Sequence, residues 1–168
     1  KLELDKFVIE EVAKINKVAP FVGKILKSKT LETQADPVRG AVILNFVQLD
    51  KYAKDAEVKQ LRQFLILILA HETTHLVQTS FYPDYRTNTN SERSRIWECQ
   101  ADIMAGKYLS EIQGDPDPED SEAIIDALKV THKIAGTSGF GDSTHPSNEQ
   151  RRTGVQLGMA AGLIERLS

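Results

Sequence analysis

The chain has 168 residues, 40% of them hydrophobic, and a formal net charge of −3, which suits one compact domain and not a disordered segment. A negative balance with Lys and Arg scattered among acids excludes a dedicated nucleic-acid binder, because phosphate recognition needs a basic face. The single cysteine, Cys99, excludes an internal disulfide framework and a cysteine-based zinc cluster.

No signal-peptide pattern opens the chain at Lys1, so it reads as a soluble protein, either cytoplasmic or a processed periplasmic or secreted chain. The longest apolar run, Phe64 to Ala70, falls far short of the roughly 20 residues of a membrane span. No membrane span is expected, and the pattern leaves the oligomeric state open.

In chain order, Leu4, Phe7, Val8, Val12 and Ile15 recur at helical spacing and predict an amphipathic helix over about 3–18. Pro20 interrupts it, and Phe21 to Lys27 reads as a further short helical turn. Polar residues with Pro37 and Gly40 then predict a loop. Ala41 to Val47, short, apolar and partly β-branched, is the best strand.

A helix is expected over about 57–79, becoming apolar all round at Phe64 to Ala70 and therefore central to the domain. Residues 80–90 carry turn chemistry and predict a loop. Ser91 is placed to cap a helix running to about Gln113 and stopping at Gly114. A linker at 115–118, a helix over about 119–135 and a Gly- and Ser-rich loop at 136–143 follow. Ser147 with Gln150 three residues on predicts a capping box for a last helix. On it, Gly154, Gly158 and Gly162 share one face, which suits close approach of a neighbouring helix.

The strongest chemical signal is His71-Glu72-Thr73-Thr74-His75. Two histidines four apart on a helix point the same way and can reach one metal ion. Glu72, one position on, is rotated off that line and is placed to take a proton from a water that the metal activates. Histidine and glutamate directly after an apolar run are costly to bury without a partner, which favours a metal over two ordinary helix histidines.

A catalytic zinc usually has three protein ligands. With only His132 and His145 as further histidines, a carboxylate is the better third ligand. Glu98 and Asp102, four apart on the next helix, are the candidates. One can bind the metal while the other accepts the free N–H of a ligand imidazole. Ile96, Trp97, Cys99, Ala101, Ile103, Met104 and Ala105 predict that this stretch is mostly buried, so its two carboxylates need something positive beside them.

His71-Glu-Thr-Thr-His75, Glu98-Cys-Gln-Ala-Asp102 and Ser143-Thr-His145-Pro-Ser-Asn-Glu-Gln-Arg151 occur in the order seen in gluzincin-type zinc metallopeptidases. Over about residues 60–165 the chain resembles the HtpX and CAAX-prenyl-protease group. It is similar also to the neutral zinc metallopeptidases of bacteria. The interval from His75 to Glu98 is shorter than in either group, and no membrane helices flank the motif.

The resemblance implies a zincin-like fold of the α+β class, predominantly helical, with a small sheet packed on the active-site helix. It implies one Zn2+ per chain held by His71, His75 and Glu98, Glu72 as general base and Asp102 as partner of a zinc-binding histidine. His145 is expected beside the metal, donating to the developing oxyanion, with Tyr82, Tyr85, Arg151 and Arg152 as further candidates for oxyanion or substrate contacts. Residues 1–168 are expected to form one metallopeptidase domain, with about 1–40 an N-terminal helical region and about 41–168 the catalytic core. The substrate expected is a peptide or unfolded protein, laid along the edge of the strand Ala41 to Val47. The alternative is a non-catalytic zinc-binding former peptidase that serves as a binding or regulatory module.

Overall fold

The computed structural model describes residues 3–18, 24–82, 84, 90–113 and 146–168. Its centre is helix α3, Val58–Phe81, in which every residue from Gln63 to His71 is buried. An all-round apolar helix can be satisfied only by neighbours on every side, and α3 has them: helices α1 (Leu4–Val18), α2 (Phe46–Ala53) and α4 (Ser91–Gln113), and a small sheet. Full burial of each Leu, Ile or Phe is worth about 1.5–3 kcal/mol, so this run is the main source of core stability.

Helix α1 follows the predicted periodicity, burying Phe7, Val8 and Ile15 against the core. Glu11 on the same helix is also buried, and its carboxylate meets Arg62 of α3 at 2.9 Å and Lys14 at 2.8 Å.

The sheet holds β1 (Lys24–Ser28), β2 (Gln34–Asp36) and β3 (Ala41–Asn45) in the order β1-β3-β2. β3 pairs parallel with β1 and antiparallel with β2. Three expectations change here. Of the helical turn expected over Phe21 to Lys27, residues 21–23 lie outside the described residues and the rest belongs to the strand β1, whose pairing with β3 outweighs a weak local preference. The loop expected around Pro37 contains β2 and is closed by a tight turn. Asp36 Oδ1 accepts from the N–H groups of Val38 and Arg39, and Gly40 takes φ +57°.

The strand expected to reach Val47 ends at Asn45, because the Asn45 side chain caps α2 by accepting from Val47 N and Gln48 N. Its amide nitrogen also donates to the Leu31 carbonyl, tying the β1–β2 connection to the same point. All five residues of β3 are buried, and both of its edges are paired. β3 therefore has no edge to give a substrate. Among the described residues the outer strands are β1 and β2, and β2 lies against α3.

Helix α3 runs two residues past its expected end at about residue 79, to Phe81. Asn90, not Ser91, caps α4: its side chain accepts from Arg93 N at 3.0 Å and Ser91 is already helical. Within α4, Trp97, Ala101 and Ala105 are buried, whereas Ile96 is half exposed and belongs to the outer face. The expected linker at 115–118, helix at 119–135 and loop at 136–143 lie outside the described residues.

The last helix, α5 (Asn148–Leu167), opens with the predicted box: Ser147 Oγ accepts from Gln150 N, and Gln150 Oε1 accepts from Ser147 N. It runs parallel to α4 at very close range. A Cβ on Gly106 would strike the Val155 carbonyl, and one on Gly158 would strike the Ile103 carbonyl. The expected role of the glycine face is thus the observed one. No helix among the described residues is long and apolar enough to cross a membrane.

Candidate metal centre

His71 and His75 stand one turn apart on buried α3, and Glu98 reaches them from α4. Their Nε2 atoms are 3.0 Å apart. Glu98 Oε2 lies 3.3 Å from His71 Nε2, and Oε1 lies 3.3 Å from His75 Nε2. Ligands held at about 2.0–2.2 Å from a tetrahedral metal are separated by roughly 3.3–3.6 Å. The Nε2 pair is closer than that, and each carboxylate oxygen faces a different imidazole, so the three side chains converge within reach of one ion.

The protons of this cluster are assigned by its outer contacts. His71 Nδ1 meets Asp102 Oδ1 at 3.0 Å. Asp102 is itself gripped by Arg151, so it is ionised and can only accept, and Nδ1 carries the proton. His75 Nδ1 meets Gln78 Oε1 at 2.8 Å. The amide orientation of Gln78 is fixed because its nitrogen donates to the Trp97 carbonyl and to Gln100 Oε1, each at 3.0 Å. Both imidazoles therefore turn an Nε2 lone pair toward the same carboxylate. Acceptors converge there with no donor among them, in a buried place, and only a cation reconciles them. Imidazole and carboxylate together suit a first-row transition metal better than Mg2+ or Ca2+.

With a proton as that cation, the electrostatics are strong. Burial alone would depress the His71 imidazole, but its hydrogen bonds to Asp102 and Glu98 outweigh burial and push its pKa up to about 10. Burial would raise the Glu98 carboxyl, yet the two histidines hold it well below the usual carboxylate range. Asp102, also opposed by burial, is held low by His71 and Arg151.

The remaining expected residues are placed as follows. Glu72, half-buried beside the first histidine, points its Oε2 at the backbone N–H of Ala35 in β2, 2.8 Å away. Arg151 is buried and bonds both oxygens of Asp102, so it braces His71 from behind and is not directed at a substrate oxyanion. Arg152 is the next residue round the helix and is exposed. Tyr82 is spent on Trp97, their ring centres 5.9 Å apart. His145 and Tyr85 lie outside the described residues.

Sequence reasoning missed Gln78. The available signal was a polar side chain three residues after His75 on a helix whose middle is apolar all round, where burial demands a partner. It also missed Ala35, which contributes through its main chain and so leaves no mark in residue type. No family model matches the chain, and no curated protein or solved structure matches it.

Proposed function

We propose that the protein is a zinc-dependent metalloendopeptidase of a zincin-like fold, with Zn2+ held by His71, His75 and Glu98. The observation that carries this reading is the convergence of His71 Nε2, His75 Nε2 and the Glu98 carboxylate, with the two Nδ1 atoms turned to Asp102 and Gln78. The resemblance of the three motifs to gluzincin-type metallopeptidases supports it, as does the position of Glu72.

When bound, such a metal supplies a Lewis acid that acidifies water and polarises a carbonyl. The chain's own residues do the rest. Asp102 and Gln78 hold the two rings in one tautomer and one orientation. Glu72, adjacent to the ligands but not among them, acts as general base: it takes a proton from the attacking water and returns it to the leaving amine. β2, an outer strand of the sheet among the described residues, offers the edge on which an extended peptide is laid.

The test pairs metal content with activity. Purified protein should carry about one zinc per chain, and Glu72→Gln should keep that zinc while losing hydrolysis of a panel of unfolded proteins. Protein that takes up no transition metal even after zinc is added back would remove the reading. Zinc retained by a wild type that cleaves nothing would leave a non-catalytic zinc module instead.

A further inference from the structure

Ala35 faces Val42 across the β2–β3 ladder, with Gln34 opposite Ile43 and Asp36 opposite Ala41. Residues of an antiparallel pair alternate between exchanging both main-chain hydrogen bonds inward and turning N–H and C=O outward. The Ala35 N–H goes to Glu72 Oε2 at 2.8 Å, so Ala35 is the outward kind. Its two neighbours in this three-residue strand turn inward to β3. Ala35 is thus the one residue of β2 able to exchange a pair of hydrogen bonds with an added strand, and one half of that pair is already occupied by the carboxylate assigned as general base.

We propose that the Ala35 N–H latches Glu72, and that an extended polypeptide pairing with β2 takes this N–H and frees the carboxylate. The inference rests on the peptidase reading and adds a specificity to it. Short peptides that reach the ligands without covering Ala35 leave Glu72 held. Only an unfolded chain long enough to pair with β2 releases it. Selection is then by length and extended conformation, through main-chain contacts that tolerate any side chains.

The latch makes an unusual prediction: deleting the assigned base should favour long ligands. The experiment uses the zinc-loaded full chain and two non-cleavable phosphinic peptides, one of about six residues that spans β2 and one dipeptide that does not. Affinities are measured for wild type, Glu72→Ala, Ala35→Pro and the double variant. Proline suits an edge position whose N–H faces away from the ladder. The ratio of long-probe to short-probe affinity cancels any direct contact of Glu72 with the phosphinate. It should rise about tenfold or more in Glu72→Ala, the scale of one hydrogen bond to a charged group. In the Ala35→Pro background, the same substitution should leave the ratio unchanged.

Amide exchange in the ligand-free protein gives a second reading that needs only Glu72→Ala. Exchange at Ala35 should speed up about tenfold or more, and the long probe should restore protection. Zinc held and the short probe bound, with the ratio and the Ala35 exchange rate both unmoved by Glu72→Ala, overturns the latch and spares the peptidase reading. A zinc-loaded wild type that binds neither probe overturns both.

Discussion

Arg151 holds Asp102 by both carboxylate oxygens, Nε to Oδ2 and Nη2 to Oδ1, each at 2.9 Å, with both side chains buried. The pair joins α5 to α4, and Asp102 passes its constraint to His71 on α3. Arg151→Met should therefore act twice. It strands a buried carboxylate, at a cost of about 3–5 kcal/mol in stability. It also loosens the His71 ring, lowering metal affinity by about 10- to 100-fold. Adding Asp102→Asn to Arg151→Met should recover part of the stability and none of the affinity, read from denaturant melts beside chelator competition.

The two acids on α4 should separate cleanly. Glu98→Ala removes a donor and should lose most of the zinc, whereas Asp102→Asn should weaken it by about 10- to 100-fold. Equal and complete loss in both would mean that the ligand is wrongly assigned. Gln78→Leu should resemble the Asp102 variant, because the His75 Nδ1 proton then has no fixed acceptor. The folded state should survive it with its helical circular-dichroism signal unchanged.

Much of this was legible because it is local. Helix α3 follows from an apolar run, the α5 cap from Ser147 and Gln150, and the adjacency of His71 and His75 from their spacing on one helix. What escaped is set by distant partners. β1, Lys-Ile-Leu-Lys-Ser, has no clean alternation and becomes a strand only because β3 lies beside it. Arg151 reads as a candidate oxyanion or substrate contact until α5 is docked on α4 with the register that brings it to Asp102. Ala35 enters the site through an N–H that every non-proline residue has.

Proton linkage gives a further prediction. Without metal, His71 keeps its second proton until about pH 10, so zinc must displace it at neutral pH. Apparent affinity should climb about tenfold per pH unit from neutrality and flatten above that value. Calorimetry in buffers of different ionisation enthalpy should count about one proton released per zinc near pH 7.

The metal-free protein should show the mirror image in its stability. The raised His71 pKa contributes in full below its unfolded value of about 6.5 and is lost as pH rises toward about 10. The lowered Glu98 pKa contributes above its unfolded value of about 4.5 and is lost as acid protonates it. Melts in chelator should peak between those limits, near pH 5–6.5 by these unfolded values.

Gly158→Ala tests the close seam of α4 and α5, since a methyl there meets the Ile103 backbone, which cannot swing aside. A loss of about 1–3 kcal/mol or more is expected in denaturant melts. Metal affinity should fall as well, because α5 carries Arg151 away from Asp102 when it is pushed off.

The burial of β3 between two neighbours decides how the chain can be shortened. A fragment beginning at Ala41 keeps every proposed ligand and discards β1 and β2, leaving Ala-Val-Ile-Leu-Asn with two bare rows of main-chain donors and acceptors. A short apolar strand in that condition is a template for self-association. The region before residue 41 thus serves as a built-in guard against aggregation, and it also supplies the Ala35 contact to Glu72. Light scattering of the two lengths, side by side at equal concentration, should find the shorter one assembling.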